Sequence, residues 1–195
     1  MARKLLVATQ NKGKLAEYHD LLSSLGIQVV GLAEVGLGKL DVAETGDTFE
    51  ANAELKARAY AQASNMQVLA DDSGLVVDAL DGAPGVYTAR YGGPGLDDAG
   101  RRAYLLQQMQ GVPDAERTAR FVCVIAVYDP QADQVQMVRG ECSGSILTEE
   151  RDGGYGFGYD PVFLPDGYDQ SMAELLPQVK HSISHRGRAA AQLPD

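Results

Sequence analysis

The sequence predicts an α/β fold with a mixed sheet, and three observations carry that expectation. Short apolar runs alternate with stretches whose apolar residues recur at helical spacing. The two longest strand-like runs, TARFVCVIAVYD (118–129) and QVQMVRGECSGSI (134–146), are separated by a short Asp-Pro connection, which predicts a hairpin. Helix-separated strands and hairpin-linked strands in one chain argue for a sheet with both parallel and antiparallel neighbours. With 195 residues, the chain is long enough for one domain with a real core, or for two small lobes sharing one.

Each element has its own signal. KLLVA (4–8) reads as a buried strand. TQNKGK follows, and Leu15, Tyr18, Leu22 and Leu25 predict a helix over 12–25, ended by Gly26. IQVVGL (27–32) is a second strand, and a loop through Gly36 and Gly38 leads to VAETGDTF. An alanine-rich helix is expected over 48–64, with Asp47 and Glu50 at capping-box spacing. QVLA (67–70) is a short strand ending at Asp71-Asp72, and LVVDAL (75–80) is another. After the Gly/Pro loop DGAPGVYTARYGGPG, Asp97 or Asp98 caps a third helix to about 110, with Ala99, Ala103, Leu106 and Met109 on one face. The hairpin is followed by the glycine-rich RDGGYGFGYDP, a short helix near 171–176 and a last helix from near Ser184.

Composition excludes several classes. The chain is 45% apolar, so it is globular rather than disordered. No apolar run approaches the ~20 residues that span a bilayer. The opening MARKLLVATQNKGK has a basic pair, but its apolar run is too short for a signal peptide, so the expected location is cytoplasmic. A net charge of -10 and a pI of about 4.7 argue against nucleic acid or an anionic membrane as partner. They leave room for an anionic small ligand where cations cluster. Cys123 and Cys142 lack C-x-x-C spacing and are expected as buried thiols.

Five stretches could carry chemistry. In TQNKGK a strand runs into a helix start beside Lys14, which is either an anion site or simply a capped, solvated helix terminus. Its spacing is not that of a Walker A loop. In ADDSG, strand neighbours point to opposite faces, so Asp71 and Asp72 cannot serve one purpose. One carboxylate there could hold Mg²⁺ or act as a general base, or the stretch could be a turn in which Asp71 and Ser73 cap backbone N–H groups. Glu44 in AETG is, alone, only a loop acid. GYGFGYDPVF (154–163) sets Phe157 and Tyr159 among glycines, either as a stacking platform for a base or as a surface turn. KHSISHRGRA (180–189) gathers Lys180, His181, His185, Arg186 and Arg188, either to read a phosphate or base edge or to balance acidic neighbours.

Taken together and in order, ATQNKGKLAEY, AETGDTFEANAELKA, ADDSGLVVDALDGAPGVYTARY, GFGYDPVF and ISHRGRA resemble the inosine triphosphate pyrophosphatase family, from about Leu6 to Ala189. The resemblance implies an elongated mixed β-sheet flanked by helices, two lobes with a central substrate cleft, within one catalytic domain over 1–195, usually a homodimer. It implies Mg²⁺-dependent hydrolysis of the purine nucleoside triphosphates ITP, dITP and XTP to the monophosphate and pyrophosphate. By the same resemblance, Thr9, Asn11, Lys14 and Lys56 would contact phosphates, and Gln10, Lys12 and Gly13 would belong to the same substrate-binding set. Glu44 and Asp72 would bind the metal, with Asp72 also the base and Asp71 structural. Ser73 would touch substrate. Phe157, Gly158, Tyr159 and Asp160, with Lys180, His185 and Arg186, would form the nucleoside pocket. The runner-up enzyme is a Maf-like nucleotide pyrophosphatase acting on modified pyrimidine nucleotides. A non-catalytic nucleotide-binding protein is the alternative of a different class. The chain departs from the family in three places. Ala51 stands where a glutamate often precedes the asparagine, so that role is vacant or moved to Glu50 or Glu54. Gln10 replaces a small residue, and His181 an asparagine.

Overall fold

The computed structural model describes residues 3–23 and 25–194. Its elements are β1 (Arg3–Val7), α1 (Lys12–Ser23), β2 (Ile27–Gly31), α2 (Phe49–Ser64), β3 (Val68–Val77), α3 (Asp98–Gln108), β4 (Thr118–Asp129), β5 (Gln134–Ile146), β6 (Phe163–Pro165), α4 (Pro177–Ile183) and α5 (His185–Ala190). Six strands form one sheet in the order β2-β1-β3-β4-β5-β6. β1 runs parallel to β2, with Leu5 opposite Val29, and parallel to β3, with Val7 opposite Leu69. β5 and β6 are antiparallel, with Ile146 opposite Phe163. The mixed α/β class read from the sequence is the one observed.

The chain divides into two compact units. One comprises Met1–Asp72, Cys123–Gly140 and Arg186–Asp195; the other comprises Ser73–Val122 and Glu141–His185. In the first, Leu5, Val7, Tyr18, Leu22, Leu69 and Ile125 belong to a buried cluster. A parallel strand covered on both faces needs no polar alternation, and Leu5, Leu6 and Val7 are all essentially inaccessible. Tyr18 and Leu22, one turn apart on α1, are fully buried, each burial contributing roughly 1.5–3 kcal/mol for a large apolar side chain. In the second unit Leu75, Leu105, Met109, Phe121, Phe163 and Met172 form a separate cluster. Cys123 and Cys142 are buried thiols, as expected. Among the described residues no helix is long and apolar enough to cross a membrane.

Several elements depart from expectation for identifiable reasons. The helix expected over 12–25 ends at Ser23, with residue 24 outside the described residues. The N–H of Leu25 and of Gly26 each turn back, to Leu22 and Ser23, and Leu25 is exposed. QVLA and LVVDAL are not two strands. β3 runs unbroken through the acidic pair, and residues 78–80 form a 3₁₀ turn. The buried face of α3 passes through Leu105 and Met109, while Ala99 and Ala103 face solvent, because alanine has little apolar area to gain by burial. Residues 171–176 form a turn, in which Ser171 N donates to Glu174 at 2.7 Å, and the helix waits for Pro177. The hairpin strands match their expected limits at both ends.

Candidate active site

In the first unit β3 carries Asp71 and Asp72 to partners of different kinds. Asp71 Oδ2 accepts from Lys14 Nζ at 2.9 Å, and Arg186 Nη2 lies 3.6 Å away. Asp72 Oδ2 accepts from Asn52 Nδ2 at 3.1 Å, and its Oδ1 from Lys56 Nζ at 3.4 Å. The expectation that the pair sits at a strand end is corrected: both are inside β3 and almost wholly buried. A strand can hold two buried charges because each meets its own cations or donors from a helix.

The two carboxyls are pushed in opposite directions. Burial would raise Asp71, but the charges of Lys14, Arg186 and Lys56 outweigh it and hold the group well below the usual carboxylate range. For Asp72 burial prevails over Lys56, and the neighbouring charge of Glu44 adds to it, so its pKa is raised. Lys56 is disfavoured as a cation by burial, yet Asp72, Asp71 and Glu44 raise its pKa, so it remains an ammonium.

Helix α2 builds this centre. Thr48 is its N-cap, accepting from Ala51 N at 3.1 Å. The Asp47–Glu50 capping box is therefore corrected: threonine takes the cap one residue later, and Glu50 pairs instead with Arg139 of β5 at 2.6 Å. Asn52 and Lys56, one turn apart, reach the same carboxylate. Asn52 also accepts the Gly46 N–H at 2.8 Å, fastening the loop that bears Glu44. Gly46 has no room for a side chain: a Cβ there would lie 2.7 Å from Ala51 Cβ and 2.8 Å from Asn52 Oδ1. Glu44 itself forms an ion pair with Lys56. Sequence reading missed the role of Asn52. Its signal is the i, i+4 spacing to Lys56 on a helix beginning just after AETG.

Glu44 and Asp72, converging on one cationic group, are a hard-oxygen donor set that fits Mg²⁺, which takes one or two carboxylates plus phosphate oxygens and water. The charge of Glu44 contributes to the raised pKa of Asp72, so a cation between the two would relieve that repulsion. Among the described residues no three His, Cys, Asp or Glu side chains cluster as a ready-made metal site. At the position of the acid missing at Ala51, the nearby Glu50 and Glu54 are each engaged by an arginine, Arg139 at 2.6 Å and Arg58 at 2.7 Å. Glu50→Gln is expected to leave the response of the protein to added Mg²⁺ unchanged and to cost at most about 1 kcal/mol of stability, as for surface pairs. A metal titration and a thermal melt check both.

The loop before α1 is a capped helix start. Asn11 Oδ1 accepts from Lys14 N at 3.1 Å, and Thr9 Oγ1 from Asn11 N at 3.2 Å. Gln10 donates to Leu40 O at 2.8 Å, tying two loops together. Lys12 is exposed and Gly13 half-buried. Arg186 of α5 is buried beside Tyr18, its charge matched by Glu17 and Asp71. The family resemblance assigns it to the nucleoside pocket. Here it neutralises two acids.

The second unit holds the aromatic loop. Phe157 is half-buried, with Lys180 Nζ 4.8 Å from its ring centroid. Lys180 is itself buried on Asp160 at 2.6 Å, and Asp160 accepts the Phe157 N–H at 3.0 Å. Tyr159 is not an exposed platform: its ring is in the core and its hydroxyl donates to Thr88 O at 3.1 Å. His185 stacks on Phe121 at 4.8 Å. Ser73 is half-buried. The basic run 180–188 is thus not one cationic face, since Lys180 and Arg186 each serve buried carboxylates.

The Ham1 family model matches residues 5–195. A protein of Oceanobacillus iheyensis named dITP/XTP pyrophosphatase is 46% identical over 191 residues, 98% of this chain and 96% of the relative. One of the same name from Desulforamulus reducens is 50% identical over 186 residues, covering 95% and 91%. The solved structure of a HAM1 protein from Coxiella burnetii superposes with a TM-score of 0.86 at 41% identity, covering 97% and 95% of the two chains. With its motifs, its mixed sheet and near full-length similarity in agreement, the chain belongs to the Ham1 family.

Proposed function

We propose that the chain is a nucleoside triphosphate pyrophosphatase that hydrolyses ITP, dITP and XTP to the monophosphate and pyrophosphate. The names of its relatives support the substrate class. The observation that carries the chemistry is Asp72: a buried carboxyl with a raised pKa, held by Asn52 on one oxygen and Lys56 on the other, with Glu44 on the same lysine.

In this reading a water attacks the α-phosphorus in line. The bond to the bridging oxygen breaks, and pyrophosphate leaves with the electron pair. Asp72 takes the proton of the attacking water, and a raised pKa makes it a stronger base than an ordinary aspartate. Asn52 holds the carboxylate plane. The ammonium of Lys56 offsets phosphate charge. Mg²⁺, when held by Glu44 and Asp72, would supply further charge neutralisation on the triphosphate. Thr9, Asn11 and Lys14 are assigned to phosphate oxygens. The homodimer and the cytoplasmic location belong to the same reading and are tested by sedimentation and fractionation.

Phe157 is proposed as the stacking surface for the purine. Phe157→Ala is expected to raise KM for ITP by about 5- to 150-fold, the equivalent of the ~1–3 kcal/mol that base–aromatic stacking contributes, with kcat little changed. The reading as a whole is tested by a panel of ITP, dITP, XTP, the ordinary purine triphosphates and modified pyrimidine triphosphates, with pyrophosphate detected. Preference for a pyrimidine substrate, or no turnover at all, would overturn it.

A further inference from the structure

In the second unit one helix grips both polar groups of a single loop residue. Asp98 and Arg102 lie one turn apart on α3, so their side chains leave the same face. Asp98 Oδ2 accepts the Gly158 N–H at 3.2 Å, and Arg102 Nη1 donates to the Gly158 carbonyl at 2.9 Å. Arg102 is anchored in turn by Glu150, Nε to Oε1 at 3.0 Å. Gly158 has φ +59°, a left-handed conformation that favours glycine, and it joins a ring locked in the core, Tyr159, to one that is not, Phe157. The orientation of the Gly158 peptide therefore sets where the Phe157 ring stands against Lys180.

We infer that Asp98 and Arg102 are positioning residues for base binding, a two-point latch that holds the Phe157 ring in its stacking orientation. The inference rests on the reading of Phe157 as the purine-stacking surface. Neither residue belongs to the group assigned to the chemistry, so the latch acts on KM and not on kcat. Arg102 is the stronger half, since its side chain is 12% exposed against 57% for Asp98. A hydrogen bond from a charged donor sets the scale of the loss.

The test is steady-state kinetics on ITP for Arg102→Ala, Asp98→Ala, Asp98→Asn and Phe157→Ala, and for the Arg102→Ala/Phe157→Ala double variant, each with a thermal melt. Arg102→Ala is expected to raise KM roughly tenfold with kcat within about twofold. Asp98→Ala should raise KM less. Asp98→Asn keeps an acceptor oxygen and should restore the wild-type value. In the absence of the Phe157 ring, Arg102→Ala should add little further, the non-additivity of residues acting through one another. If Phe157→Ala raises KM while Arg102→Ala and Asp98→Ala do not, the latch is wrong and the stacking reading stands. If Phe157→Ala leaves KM unchanged, the stacking reading fails and the latch with it. A fall in kcat and melting temperature without a KM change would mark a purely structural contact and overturn the inference. Should Arg102→Ala not fold, the exposed Asp98 pair decides by the same criteria.

Discussion

Asp72→Asn is expected to lower kcat for ITP by about 10²- to 10⁴-fold at saturating Mg²⁺ while leaving the melting temperature unchanged or slightly higher. On the proposed reading of Asp72 the rate loss is the usual cost of removing a general base, with a weakened metal site adding to it. The substitution keeps the shape and one acceptor oxygen for Asn52 Nδ2, which is 3.1 Å away in the wild type. Lys56 retains Glu44 as its counter-ion. What disappears is a buried charge that its surroundings disfavour, since burial and then Glu44 raise its pKa. A group of that kind destabilises the ligand-free protein when ionised, so neutralising it does not cost stability.

Asp71→Asn is expected to do the reverse. Its carboxylate is the shared counter-ion of Lys14 and the buried Arg186. Removing one partner from a buried ion pair leaves uncompensated charge and costs about 3–5 kcal/mol, which for a chain of this size is a fall in melting temperature on the order of 10 °C. Turnover should fall less than in Asp72→Asn at a temperature where both variants are folded. The pH dependence has a defined sign. Burial acts to raise the Asp71 pKa, but the three cations outweigh it and the folded-state value is depressed. The stabilisation is therefore complete above the unfolded aspartate value of ~3.9 and is lost as pH falls through the folded one. Acid melts below about pH 4 should show a stability slope in wild type that is reduced in Asp71→Asn. A dead Asp71→Asn enzyme beside a near-normal Asp72→Asn enzyme would mean that the two roles are exchanged.

The same dyad shows what was legible in the sequence and what was not. Local pattern suffices where burial repeats along an element. The hairpin strands were bounded correctly because Phe121 to Val127 is a continuous buried run flanked by polar turn residues. The opposite faces of Asp71 and Asp72 followed from strand geometry alone. That β3 continues through them did not, because the cations that make buried acids tolerable come from Lys14, Lys56 and Arg186, distant in sequence. Local reading sees an acidic turn there and stops the strand. The same limit hid the buried acid that Arg186 meets, Glu17, 169 positions away. Tyr159 looked exposed because glycines surround it, yet its ring completes the second core. Asn52 was overlooked because a buried amide has no signature until both of its partners, Gly46 and Asp72, are in place.

Hydrolysis of ITP in ¹⁸O-labelled water tests the central claim most directly, because it reports which phosphorus the water attacks and which bond breaks. The account predicts one labelled oxygen in the monophosphate product and unlabelled pyrophosphate released in equal amount, with both signals lost together in Asp72→Asn. Label in the pyrophosphate, or release of orthophosphate with the nucleoside diphosphate, would contradict it.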